Sequence, residues 1–285
     1  MKKMITACLC AALVCTSGCD KTESSASDET KTNTNETKIL VTLGDSISAG
    51  YGLENAETQR YSALLTEKLR DANHNDWRDC NYAVSGDDST DLLKRLHDGK
   101  AIRLPAADEI VICIGANNLL GPYFTYLQTV MPLSKSSYNA DAAIKQLDDE
   151  IDSGLSTLES DLNTMYDFIR ERNTPDESKI YLINIYNPYA DITDRDFPHA
   201  NEKISVADYA QRALDRCNAI IANFAKQHND IILVDIASAF AKYSTLPIQG
   251  VSDGDDPMML DPHPNRDGHE CIADTLFSVI MEQES

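Results

Sequence analysis

The sequence predicts an α/β protein: a three-layer sandwich in which a five-stranded parallel sheet is covered by helices on both faces. Three observations carry this. Five short runs rich in apolar or β-branched residues recur at Lys38–Leu43, Asp79–Val84, Glu109–Ile114, Lys179–Tyr186 and Asp230–Ile236. Stretches with apolar residues at helical spacing alternate with them. No internal repeat and no second domain boundary interrupts the alternation, and 285 residues suffice for one domain with a full core.

Taken in order, Lys38–Leu43 reads as a buried parallel strand. It runs into Gly44-Asp45-Ser46-Ile47-Ser48-Ala49-Gly50-Tyr51-Gly52. The Gly breaks the strand and the Ser stands at the turn, where an open α/β sheet binds ligands, outside the carboxyl ends of its strands. Ser46 there serves either as a nucleophile or as the cap of the next helix. Arg60–Leu69 reads as a helix, Asp79–Val84 as the second strand and Thr90–His97 as a short helix. Glu109–Ile114 is the most apolar run after the N-terminal segment and reads as the third strand, with Cys113 a core residue. Gly121–Leu127 reads as an aromatic loop that either lines a pocket or buries itself against the next helix. That helix, Asn139–Arg172, carries Ile144, Leu147, Ile151, Leu155, Leu158, Leu162, Met165 and Ile169 on one stripe. Lys179–Tyr186 is the fourth strand, Ser205–Gln227 a helix, Asp230–Ile236 the fifth strand and Asn265–Met281 the closing helix.

Three strand ends supply chemistry to one edge of the sheet. The second is followed by Ser85-Gly86-Asp87-Asp88 and the third by Gly115-Ala116-Asn117-Asn118. A Gly lets a backbone N–H approach a ligand closely, and an Asn side chain offers two donors. With the Ser46 N–H, Gly86 and Asn117 are candidates to hold a developing oxyanion. A base is needed, and there are six histidines. His74, His97 and His228 lie among polar residues at helix ends and read as solvated. His263 sits in Leu260-Asp261-Pro262-His263-Pro264, a loop stiffened by two prolines, with a carboxylate two residues away. A neutral His held by an Asp is what a serine nucleophile requires. His199, in Phe197-Pro198-His199, is the rival.

Charge and composition exclude some classes. The formal net charge of −21 argues against nucleic acid as a partner, which needs a basic footprint. Eight cysteines include Cys8, Cys10, Cys15 and Cys19 near the N-terminus; Cys80, Cys113, Cys217 and Cys271 are widely spaced, with no Cys-x-x-Cys pair, so no zinc site is expected. Ser252-Asp253-Gly254-Asp255-Asp256 lacks EF-hand spacing and reads as a solvated acidic loop. No metal or organic cofactor is expected.

The first 18 residues have the charged start and short apolar centre of a signal peptide. Their end, Thr16-Ser17-Gly18-Cys19, resembles a bacterial lipoprotein signal. That resemblance implies that Cys19 becomes the first mature residue and carries lipid, holding the protein on the extracytoplasmic face of a bacterial cell membrane. Residues 19–37 are polar apart from Ala26 and read as a tether, so the folded domain is expected over 38–285.

Four stretches, in order from Lys38 to the C-terminus, resemble the SGNH hydrolase family, also called GDSL esterases and lipases: Gly44-Asp45-Ser46, Gly86, Asn117, and His263-Pro264 with Gly268-His269. Asn187-Pro188-Tyr189 is also familiar from that family. The resemblance implies a flavodoxin-like fold, Ser46 as nucleophile, His263 as base, and Ser46, Gly86 and Asn117 as the oxyanion hole. It implies an ester substrate: a lipid, a short-chain ester or an acylated carbohydrate. Two positions depart from the family pattern. Asn118 replaces an Asp, and the triad acid, expected three residues before His263, falls on Leu260. Asp261 is the acid expected here, with Asp253, Asp255 and Asp256 in reserve. The other reading is a lipoprotein that binds a glycan or peptide in the same cleft without turnover.

Overall fold

The computed structural model describes residues 37–73, 75–130, 140–175, 178–197, 203–251 and 260–284. The signal segment, Cys19, the tether, His74, His199 and the acidic run 252–256 lie outside the described residues. The chain runs β1 (Lys38–Gly44), α1 (Ser46–Ala49), α2 (Ala56–Gln59), α3 (Tyr61–Asn73), β2 (Trp77–Asn81), α4 (Ser89–His97), β3 (Glu109–Cys113), α5 (Ala116–Val130) and α6 (Ala140–Arg172). It continues through β4 (Lys179–Ile183), α7 (Val206–Gln227), β5 (Ile231–Val234), α8 (Ile236–Phe240), β6 (Ile248–Gly250), β7 (Asp261–Pro264) and α9 (Arg266–Gln283).

β1 to β5 form one parallel sheet in the order β2-β1-β3-β4-β5. This is the flavodoxin-like order, and its direction reverses at β1. The carboxyl ends of β1 and β3 therefore bound the crevice where such sheets bind ligands, and Ser46 and Asn117 follow those two strands.

Alternation along each strand builds two cores. Val41, Leu43, Ile110, Ile112, Ile180 and Leu182 point to the side covered by α4, α5, α6 and α7. Leu40, Val111, Cys113, Tyr181, Ile183 and Val234 point to the side covered by α3, α8 and α9. The middle layer is apolar on both faces, which is why these strands read as continuous apolar runs rather than as alternating ones. No described helix is long and apolar enough to cross a membrane.

Two elements differ from the expectation. Gly121–Leu127 is not a loop but the middle of α5, although Pro122 lies inside that helix. Pro122 has no N–H for the Asn118 carbonyl four residues back. That carbonyl lies instead against Gly154 of α6, so close that a Cβ on Gly154 would stand 2.3 Å from it. Secondly, His263 is not on a loop: Asp261–Pro264 pairs antiparallel with Ile248–Gly250 as a small ribbon outside the main sheet. Prolines are tolerated there because both strands are edges.

Candidate active site

The turn that carries Ser46 is built by steric exclusion. Gly44 ends β1 at φ +151°, and a Cβ there would lie 2.3 Å from the Cys113 carbonyl oxygen and 2.5 Å from Ser48 Oγ. Only Gly lets β1 leave the sheet this close to β3. Asp45 then caps α1: its Oδ1 accepts from the Ile47 N–H at 2.9 Å. Its carboxyl is 1% exposed. Burial pushes it up to about 7, against the pull of the Ile47 amide and with a push from the charge of Asp87. Ser48 Oγ meets Tyr61 OH at 2.7 Å and Gly50 closes the turn at φ +77°. Ser46 is thus fixed from both sides.

The ribbon brings the other two groups. His263 Nε2 lies 2.8 Å from Ser46 Oγ, and His263 Nδ1 lies 2.5 Å from Asp261 Oδ1. The same Oδ1 accepts the His263 backbone N–H at 3.0 Å. That second bond explains how a carboxylate two residues before the His reaches its ring: Pro262 holds the chain extended and the side chain folds forward over it. A carboxylate only accepts, so Nδ1 carries the proton and Nε2 is left to accept from Ser46 O–H.

Two tyrosines that the sequence reading did not single out support this imidazole. Tyr186, just past β4, donates its hydroxyl to the Pro262 carbonyl at 2.5 Å and stacks on Phe240 at 4.2 Å. Tyr51, at the end of the opening motif, lays its ring 4.5 Å from the His263 ring. Only its position beside Ser46 pointed to Tyr51. Nothing in the sequence pointed to Tyr186, whose contact spans 76 residues.

Asn117 opens α5 and faces the same cavity as Ser46 and His263. One of its amide hydrogens goes to the Asp87 carbonyl at 2.8 Å, leaving the second for a ligand. Gly86 lies on the exposed β2–α4 loop at φ +91°, one residue from that carbonyl. It is not among the residues that wall the cavity, and the carbonyl of the next residue, Asp87, holds Asn117. Asn118 holds that loop to α6. Its Oδ1 accepts from the Ser89 N–H at 3.2 Å, and its Nδ2 donates to Ser89 Oγ at 2.9 Å and to the Gly154 carbonyl at 3.2 Å. An Asp at this position would lack both donors.

The remaining histidines are structural or remote. His269 is fully buried and its Nδ1 accepts from the Tyr61 N–H at 3.2 Å. Burial, and then the neighbouring His263, push it down to about 4, so it stays neutral. His228 is half-buried against Tyr166 at 3.9 Å rather than fully solvated. Asn187 ties the β4–α7 connection to α7 through the Ala207 carbonyl and Gln211. Among the described residues no group of three or more His, Cys, Asp or Glu could hold a metal ion, and the four described cysteines are free thiols.

Beside Ser46 opens a cavity of about 800 Å³, counting its mouth. Its walls come from α5, α6, α7 and the segment after β4, among them Leu120, Tyr123, Ile151, Tyr189, Phe197 and Ala213. The aromatic stretch divides: Tyr123 lines this cavity, Tyr126 and Leu127 are buried, and Phe124 faces solvent. At its rim stand a hydroxyl, an imidazole and an amide; the walls beyond are carbon and tyrosine rings.

Comparison with known proteins agrees with this layout. The model of the GDSL-like lipase/acylhydrolase family matches residues 42–271. The uncharacterized protein YpmR of Bacillus subtilis is 24% identical over 99% of this chain and 98% of its own length. The crystal structure of an extracellular lipase from Streptomyces rimosus superposes with a TM-score of 0.58 at 21% identity, covering 85% of this chain and 99% of that one. Axe2, an acetylxylan esterase from Geobacillus stearothermophilus, gives a TM-score of 0.53 at 20% identity over 85% and 94%. At these identities the two structures establish the shared fold.

Proposed function

Because the chain belongs to the GDSL-like lipase/acylhydrolase family, we propose that it hydrolyses carboxylic esters through Ser46, His263 and Asp261. The observation that carries this reading is the unbroken hydrogen-bond chain from Ser46 Oγ through the His263 ring to Asp261 Oδ1. Ser46 Oγ attacks the ester carbonyl carbon while His263 Nε2 takes its proton. The oxyanion is met by the Ser46 and Gly86 N–H groups and the free Asn117 hydrogen. The carbon–oxygen bond to the alcohol then breaks, and His263 returns the proton to the leaving oxygen. Water, deprotonated by His263, attacks the acyl-Ser46 carbonyl and releases the acid. Asp261 keeps the ring in the accepting tautomer and stabilises its charged form.

The cavity favours an apolar acyl group over an acetylated sugar. Its walls offer hydrocarbon and aromatic surface, and each buried CH₂ contributes about 0.8 kcal/mol. In this reading Cys19 carries the lipid and the enzyme works at the extracytoplasmic face of the membrane, where acyl esters are at hand. The test is a series of p-nitrophenyl esters from acetate to octanoate, with wild-type protein and Ser46→Ala. Hydrolysis that rises with acyl length and vanishes in Ser46→Ala is expected. A folded wild-type protein that binds esters or glycans without releasing nitrophenol would replace hydrolysis by the binding-only reading.

A further inference from the structure

The oxyanion donors stand among carboxylates. Asp87 follows Gly86 directly, and its side chain is 5% exposed. Asp45 precedes Ser46 and feels the charge of Asp87. A fixed negative charge beside a developing oxyanion opposes the transition state by the same electrostatics through which donors favour it. Arg95 of α4 answers this charge. Its Nε donates to Asp87 Oδ2 at 2.5 Å and its Nη2 to Oδ1 at 3.0 Å, a two-pronged pair. The backbone carbonyl of the same Asp87 holds Asn117 Nδ2 at 2.8 Å. One residue therefore links the Arg95 clamp to an oxyanion donor. The end of α4 that carries this loop is fixed as well, by the Asp88 cap on the Asp91 N–H at 3.0 Å and by the Ser89–Asn118 bonds.

We propose that Arg95 is a positioning residue for ester hydrolysis, acting through Asp87 by cancelling the buried carboxylate charge of the residue whose carbonyl holds Asn117. The inference rests on the hydrolase reading above. It differs from a stability role in its readout, a loss of kcat by protein that is still folded. A surface ion pair contributes little and is lost with little consequence. Here the carboxylate is buried, so removing the cation alone leaves its charge uncompensated, whereas removing both charges does not.

The test uses p-nitrophenyl butyrate and four proteins: wild type, Arg95→Met, Arg95→Lys, and Asp87→Asn combined with Arg95→Met. Arg95→Met should lower kcat at least tenfold with KM nearly unchanged, since the loss falls on the transition state. Arg95→Lys, keeping the charge without the fork, should lose less. The double variant should regain most of the kcat lost in Arg95→Met; a purely structural pair would instead lower the urea midpoint of Arg95→Met and leave kcat per folded protein unchanged. If Arg95→Met does not fold, the kcat of the double variant decides: a double variant above a tenth of wild type supports the proposal, and one below that overturns it whatever the value for Arg95→Lys. Ser46-dependent hydrolysis by wild type with Arg95→Met equally fast, or with the double variant as slow as Arg95→Met, overturns the Arg95 role alone. No Ser46-dependent hydrolysis by wild type removes the hydrolase reading and this role with it.

Discussion

The turn that carries Ser46 and the ribbon that carries His263 are built to different standards. Ser46 leaves the central sheet through a glycine that tolerates no side chain, under a buried Asp cap, with Ser48 and Tyr61 locked behind it. His263 and Asp261 ride on four residues outside that sheet, half-buried, paired with a strand of three. Their position depends on a few polar bonds: Tyr186 to Pro262, Asn265 to the Ile248 carbonyl, and Asp261 to the His263 amide. The lesson is that core packing fixes one half of the site and individual hydrogen bonds fix the other. Damage to the first half should appear as lost stability, and damage to the second as lost turnover.

The largest effect should come from Asp261→Asn. An amide donor facing Nδ1 reverses the imidazole tautomer, so kcat should fall about 10⁴-fold while the unfolding midpoint in urea stays near wild type. A loss under tenfold would mean that another acid serves His263. Gly44→Ala should do the opposite kind of harm. The new Cβ meets the Cys113 backbone oxygen at 2.3 Å in a left-handed conformation, which should cost about 3 kcal/mol or more, read as a lower urea midpoint. Tyr186→Phe removes one bond from the ribbon and should cost about 1 kcal/mol with roughly tenfold lower kcat. A large stability loss with kcat intact would erase the contrast between the two halves.

The smallest effect is a pH dependence at the junction. His269 is held neutral, with its pKa pushed down to about 4 from an ordinary 6.5. The unfolded chain binds that proton first, so His269 contributes stability above pH 6.5 that is lost as pH falls from there through about 4. In His269→Asn, whose side-chain oxygen can still accept from the Tyr61 N–H, the melting temperature should fall less between pH 6.5 and 4 than in wild type. A parallel fall would show that this ring is not a source of acid sensitivity.

The same division explains what could be read from the sequence. The five strands announce themselves through Lys38–Leu43, Glu109–Ile114 and their counterparts, because a sheet buried on both faces demands continuous apolar runs. The meeting of Ser46 and Asn117 at one cavity was legible because strand ends in such a sheet share one edge. α5 was not, because Gly121-Pro122 looks like a helix break until Gly154 of α6 accommodates the carbonyl that Pro122 leaves unpaired. The ribbon was not legible either: Ile248–Gly250 is too short for a periodic signal. Tyr186 and the Arg95–Asp87 pair leave no local mark, since what each does depends on a partner placed by the fold.

Reaction with a fluorophosphonate, read by intact-mass and peptide mass spectrometry, tests the central claim most directly, because the reagent modifies a serine only when a neighbouring base activates it. One adduct per chain on the peptide carrying Ser46, formed in wild type and suppressed in Asp261→Asn, is the expected result. A folded protein that stays unmodified, or is modified equally in both, would contradict a serine activated through His263 and Asp261.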